Sequence, residues 1–229
     1  IAEQTAKHNW NLEYPNEKNP YAELPKMNIF TYDITKNIDN ILDQTGVFSF
    51  PEFFRTWTGN PKADKASMPE GAKGRFVHEP EVSEFLDLLC KKDAENNFPF
   101  STNEYRQMFR HTLWVVSHVN EAAALEQLLK EHKIFRHFDV VNVAGRNETD
   151  EQNENALDKV LKAIGDNPEK TSTITISCGR LTTGVTVAPW TAVFYLKGGD
   201  RAATYMQTIF RVQSPYTYKD ENGETRMKT

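Results

Sequence analysis

Gln207 and Arg211 stand four residues apart in the segment ATYMQTIFRVQ, so on a helix both project from one face. An arginine presented there is a planar fork of N–H donors matched to phosphate oxygens, and a glutamine one turn earlier can add neutral hydrogen bonds. Upstream lies Gly179-Arg180-Leu181-Thr182-Thr183-Gly184-Val185-Thr186-Val187, with two threonines before a glycine just past a strand end. Hydroxyls and backbone N–H groups so placed can hold a backbone phosphate, and Gly184 permits close approach or a positive φ. A lone Gln/Arg pair is most often a solvated helix face, and Thr-Thr-Gly alone is an ordinary connection between strands. Taken in this order and at this distance, the two features point to a surface that grips nucleic-acid phosphates on one side and nucleotide phosphates on the other.

The elements that must position them are readable from residue 110 onward. Leu113 to Val116 is a short apolar strand, and Asn120 is placed to cap a helix carrying Ala124, Leu125, Leu128 and Leu129 at helical spacing. Val140 to Val143 is the next strand. Thr149 and Gln152 form a capping box for a helix with Ala156, Leu157, Val160, Leu161 and Ile164, stopped by Gly165 and Pro168. Strands at Thr173 to Cys178 and Thr191 to Leu196 precede a helix from about Asp200, whose Met206, Ile209 and Phe210 are expected to face the sheet. Strands alternating with helices predict an α/β fold, a parallel sheet covered on both faces with ligands beyond the carboxyl ends of its strands.

The N-terminal third is less regular. Residues 1–24, polar and punctuated by Pro15 and Pro20, read as a linker or lead-in, and Met27 to Ile34 as a strand. Residues 35–79 read as a partly helical insertion, with a mobile Gly/Pro/Lys-rich loop at 58–75; Glu81 to Cys90 reads as a helix. The aromatics Phe48, Phe50, Phe53, Phe54 and Trp57 could stack on bases, but at this density they are expected to anchor the insertion to the core. Lys62, Lys65, Lys73 and Arg75 make a modest basic loop, expected to be solvated.

Composition is that of a globular protein, with 38% hydrophobic and 26% charged residues among 229. A formal charge of −5 argues against a broadly basic DNA-binding face, so nucleic-acid contacts must be few and made by hydroxyl and backbone donors. Cys90 and Cys178 lie far apart, without metal-type spacing, and read as two buried thiols in a reducing, cytoplasmic setting. No metal site is expected from the histidine spacing, and no run is long and apolar enough for a membrane span. Glu131-His132-Lys133 has the Glu-x-Lys form of some nuclease sites but no aspartate at a suitable distance upstream, so it reads as a charged helix end. Neither a G-x-x-x-x-G-K-[ST] loop nor an Asp-Glu pair closing an apolar strand is present, so the sequence reads as a piece of a longer polypeptide.

The wording GRLTTGVTV…QTIFRVQSP resembles motifs V and VI of superfamily-two helicases and DNA translocases, most of all the motor subunits of restriction–modification enzymes. The resemblance covers about residues 110–215. HTLWVVSHVN at 111–120 looks like motif IV, which implies nucleic-acid contact by Ser117 with His118 beside it, and FDVVNVAG at 138–145 looks like the next strand and loop of such lobes. Thr182 and Thr183 match the nucleic-acid-facing part of motif V, Gly184 and Thr186 its nucleotide-facing part, and Gln207 and Arg211 the glutamine and first arginine of motif VI.

The resemblance implies that residues 25–229 are the second, C-terminal RecA-like lobe of an ATP-dependent translocase, with Arg211 completing a site for ATP and Mg²⁺ held chiefly by an N-terminal lobe. Implied partners are DNA, that N-terminal lobe, and methylase or specificity subunits. The sequence departs from the motifs at Phe210, where a glycine is usual, at Ser214 in place of a second arginine, and at Thr186 in place of an aspartate. Those departures keep a second expectation open: a RecA-like lobe that has lost its motor task and serves as a protein-interaction or scaffold domain. A complete α/β enzyme of another kind would need a nucleophile–base pair or metal cluster, and neither is legible.

Overall fold

A computed structural model of the chain describes residues 2–19, 21–30, 48–64, 66–92, 98–145, 150–182, 184–198, 201–219 and 223–228. Four strands form a parallel sheet: β1 (His111–Val115), β2 (Asp139–Asn142), β3 (Thr173–Ser177) and β4 (Ala192–Tyr195), in the spatial order β2-β3-β1-β4. β1 is central, pairing Leu113 with Thr175 on one side and with Val193 on the other. Its five residues are all buried, as are those of β3, which is why both read as continuous rather than alternating runs.

Helices cover both faces. On one lies α6 (Val119–Glu131), whose Leu125 and Leu129 pack with Trp114, Ile174 and Ile176. On the other lies α7 (Asp150–Ile164), whose Ala156, Val160 and Ile164 pack with Leu113 and Val115. This is the RecA-like α/β arrangement expected. Alternate strand residues feed the two cores, so each buried leucine of α6 is worth about 2–5 kcal/mol against truncation to alanine.

Four expectations change. The cap of α6 is His118 rather than Asn120, because the Glu121 carboxylate turns back to accept the N–H groups of Ser117 (2.8 Å) and His118 (3.0 Å). Thr149 and the strand residues 31–34 lie outside the described residues, and residues 27–30 form no strand. The polar N-terminal segment carries helix α1 (Ala2–Glu13). The last helix, α8 (Ala202–Ile209), continues into a 3₁₀ turn at Phe210–Gln213, so Arg211 sits just beyond the α-helix. Of the residues expected to face the sheet, Ile209 is half-buried but Met206 and Phe210 are 42% and 43% exposed; Tyr205 meets Tyr195 edge-on at 5.0 Å, Thr208 is fully buried, and Val212 of the turn packs against the core.

Within the expected insertion, residues 48–64 and 66–79 are better ordered than their composition implies. Phe53 and Phe54, in and beside the short turn α2 (Phe50–Phe53), are fully buried against Phe76 and against Phe85 of α4 (Glu79–Leu89), with Phe48 and Phe50 packed on them, so these four phenylalanines belong to the core, while Trp57 is half-buried. The expected mobile loop is pinned at its first part by Asp64, at the end of α3 (Pro61–Asp64). Its carboxylate accepts Thr58 N (2.8 Å), Thr58 Oγ1 (2.8 Å) and Gly59 N (3.0 Å). The Thr58 N–H above all holds the acid below its ordinary range. A depressed carboxylate stabilises above its ordinary pKa, and that contribution is lost as pH falls through the folded value. Asp64→Asn keeps one acceptor oxygen for three donors, so limited trypsin digestion is expected to cut within 58–75 faster in the variant at neutral pH. Equal rates would show that the loop is held by something else.

A two-stranded hairpin, β5 (Thr217–Lys219) and β6 (Thr225–Met227), ends the described fold. The last helical piece before the sheet is α5 (Asn103–Met108), capped by Thr102 Oγ1 accepting Tyr105 N.

Candidate functional site

Beyond the carboxyl end of β3 the chain turns sharply, because Ser177 Oγ donates to the Arg180 carbonyl and Thr182 Oγ1 donates to the Gly179 carbonyl. Leu181 is drawn into the left-handed region at φ 60, which a non-glycine residue holds only under constraint, and its buried side chain packs with Val187 and Trp190. Thr182 is buried, its hydroxyl committed to this turn. Thr183 lies outside the described residues. Gly184 has φ 72, with no atom within 4 Å of where a Cβ would stand, and Thr186 is exposed beside it. The bend therefore offers open room on its outer side.

Arg211 reaches this bend from the other direction. Its Nη1 donates to the Val185 carbonyl at 2.6 Å, and its Nε to the Gln207 carbonyl at 3.1 Å. The arginine and the Thr-Thr-Gly loop, 26 residues apart in sequence, are thus joined directly. Gln207 is exposed on the same flank.

Ser117 and His118 stand beyond the carboxyl end of β1, which lies between β3 and β4 in the sheet. Ser117 is half-buried and His118 exposed, and with Gly145 and Cys178 they border a cavity of about 570 Å³. Burial pushes the Glu121 carboxyl up despite the two N–H groups it accepts. The strand-end residues Gly145 and Cys178 meet through a 3.7 Å Sγ–carbonyl contact, and a Cβ on Gly145 would fall 2.3 Å from the Arg180 guanidinium carbon. A side chain at Gly145 would displace that guanidinium. Arg180 Nη2 donates to Gln152 Oε1 at 2.7 Å, tying the turn to α7. Both cysteines are free and half-buried, and burial raises Cys90 to about 12, which makes it a poor nucleophile at neutral pH. Lys133 of the Glu-x-Lys element pairs with Asp87 at 2.9 Å.

Three positioning residues had weak sequence signals. Glu121 stands three residues after the cap in a His-x-x-Glu pattern, legible had histidine been allowed at the cap. Arg55, which lines the same cavity, comes from the insertion and depends on tertiary placement alone. Lys228 is buried, and its Nζ donates to the carbonyls of Ala188 and Trp190, both at 2.8 Å, so the terminal hairpin clamps the segment leading from the bend into β4.

Burial lowers Lys228 to about 8 from its ordinary 10.5. Between those values the unfolded chain binds more protons than the folded one, so stability should rise with pH across that window. Denaturant midpoints at pH 7.5 and 10 are expected to shift in favour of wild type relative to Lys228→Met. An unchanged difference would remove the amine from the account.

Comparison with known proteins gives one informative relationship. The chain is 31% identical, over 96% of its length, to a Mycoplasma pneumoniae protein described provisionally as a type II restriction enzyme and methyltransferase, C-terminus. It spans about a third of that relative's length (31%). No protein-family description matches it, and no solved structure does. The similarity relates the chain to a restriction–modification protein.

Proposed function

We propose that this chain is the C-terminal RecA-like lobe of an ATP-dependent DNA translocase or helicase of the restriction type. The observation that carries the reading is the Arg211–Val185 hydrogen bond, which sets a half-buried guanidinium against the Thr-Thr-Gly bend at the carboxyl edge of a parallel sheet. Edges of this kind are where α/β sheets bind ligands. The similarity to a restriction–modification protein supports the same reading.

The residues present fit one edge of a nucleotide site. Open space over Gly184, and exposed Thr186 and Gln207 alongside, leave room for a phosphate-bearing ligand. ATP with Mg²⁺ supplies the transferable phosphoryl group, and its main contacts lie on an N-terminal lobe. Arg211 keeps the N–H groups of Nη2 for phosphate oxygens while Nε and Nη1 hold it in place. Gln207 lines the approach, and Thr186 bonds a ribose hydroxyl. Ser117 and His118 contact the DNA backbone, whereas Thr182, expected there too, gives both its hydroxyl and its N–H to the Gly179 carbonyl, and contact by Thr183 rests on the motif resemblance alone. Methylase or specificity subunits are its partners in a cytoplasmic assembly.

One observation favours a second reading. Both hydrogen bonds of Arg211 go to carbonyls of its own chain, as they would in a lobe where the arginine is only a staple and the domain serves as a scaffold. ATP turnover of the longer protein with Arg211→Ala separates the two: a collapse supports the motor, and unchanged turnover leaves the scaffold.

A further inference from the structure

The cavity beside Ser117 is roofed by the insertion. Arg55, Thr58 and Ala63 of the insertion face Ser117, His118, Gly145 and Cys178 across a volume of about 570 Å³. That is room for a phosphate with its sugar. Behind Gly145 the wall is closed by the Arg180 guanidinium, which is tied to Gln152.

The cation in this cavity is Arg55. Its Nε donates to Glu52 Oε1 at 2.9 Å and its Nη1 to the Asp64 carbonyl at 3.1 Å, so the fork is fixed before any ligand arrives. Glu52 also meets His78 Nε2 at 3.3 Å. A held guanidinium loses little freedom on binding, and its remaining N–H groups match phosphate oxygens. The acidic group lining the cavity, Glu121, is turned to the N–H groups of Ser117 and His118 and so is capped rather than directed at an incoming anion.

We propose that this cavity binds a phosphodiester of a DNA strand, with Arg55 of the insertion as the cation and Ser117 and His118 as the opposite wall. The proposal rests on the DNA-binding reading above and extends it: a part of the chain outside the motor-like motifs supplies the charge that an acidic protein otherwise lacks for DNA. It also explains why the loop at 58–64 is pinned, since Asp64 fixes both that loop and, through its carbonyl, Arg55.

The test titrates the 229-residue protein against a labelled single-stranded oligonucleotide and its duplex by fluorescence anisotropy at several salt concentrations. Ala63 is exposed on the cavity rim, so Ala63→Lys and Ala63→Glu change charge there without removing a recorded side-chain contact. Ala63→Lys is expected to tighten binding about fivefold and steepen the salt dependence, and Ala63→Glu to weaken binding by a similar factor. Arg55→Gln is expected to weaken it and reduce the slope of log affinity against log salt by about 0.7 to 0.9, the loss of one phosphate contact. If wild type binds DNA and all three variants match it in affinity and slope, the cavity is not the site and the broader DNA-binding reading stands. Absence of DNA binding by wild type at low salt overturns both. A parallel titration with ADP distinguishes the source of the phosphate: charge changes at Ala63 that move ADP affinity and leave DNA affinity alone overturn the proposal in favour of a nucleotide site.

Discussion

On the proposed motor reading, Arg211→Ala in a protein that joins this chain to a phosphate-loop domain is expected to lower DNA-stimulated ATP turnover by about 10³-fold or more. The expectation follows from where charge develops. During phosphoryl transfer negative charge spreads over the equatorial oxygens, and a guanidinium already held by Val185 and Gln207 carbonyls needs no reorganisation to meet it. Ground-state nucleotide affinity should change much less, because the interaction strengthens in the transition state.

The rival account predicts a different pattern. If Arg211 only staples the 3₁₀ turn to the bend, its removal loses two hydrogen bonds at a half-buried position, about 1–3 kcal/mol, and turnover should follow stability rather than exceed it. Arg211→Lys separates these effects further. A lysine can still reach one carbonyl and carry charge, but it lacks the planar fork, so a finger should remain strongly impaired whereas a staple should be largely restored. Turnover within about threefold of wild type for Arg211→Ala, in a protein that otherwise hydrolyses ATP, would sink the motor assignment.

The sheet was legible because its signals are local. β1 and β3 are buried on both faces and so appear as unbroken apolar-and-threonine runs, while α6 and α7 show their inward stripes at helical spacing. Leu161 is the exception in α7, at 45% exposed. The inward face of α8 was misread at Met206 and Phe210 because hydrophobicity favours them. Thr208 can be buried since its hydroxyl is satisfied by the Thr204 carbonyl at 2.7 Å, and Tyr205 packs its ring on Tyr195. That leaves Met206 and Phe210 outside. The terminal hairpin carried a signal in Asn222-Gly223, with Gly223 at φ 78, but its strands are polar and exposed and thus show no apolar alternation. The order at 58–64 depends on one aspartate meeting three donors, a geometry that composition cannot reveal. Of the candidate site, the junction of Arg211 with the bend was readable from motif order, whereas the approach of Arg55 to Ser117 joins segments more than sixty residues apart and exists only in the folded chain.

Phe100→Ala is expected to be the most damaging single truncation away from the site, at about 3–5 kcal/mol. Phe100 is fully buried and stands at the centre of an aromatic group: Phe135 at 4.9 Å, Phe194 at 5.5 Å, Phe138 at 5.6 Å, Phe109 at 6.1 Å and Trp114 at 6.2 Å between ring centroids. These rings come from the end of α5, β1, β4 and the segment after α6, so Phe100 fastens four parts of the fold at once. The cost should lie toward the upper end because the cavity cannot easily collapse. Phe100 N donates to the Leu89 carbonyl at 2.9 Å, and its own carbonyl accepts Arg106 Nε at 2.8 Å, so the backbone on which neighbours would have to close is held from both sides. For a chain of this size the loss corresponds to a fall in melting temperature of roughly 6–20 °C. Phe100→Leu, which leaves less empty volume, should recover more than half of it, and truncation of exposed Met206 should cost under about 0.5 kcal/mol. Denaturant unfolding of the three variants measures this directly. A Phe100→Ala loss no greater than that of Met206→Ala would mean that the insertion-side layer is not fastened to the sheet through this ring, and with it the rigid placement of Arg55 over Ser117 would lose its physical basis.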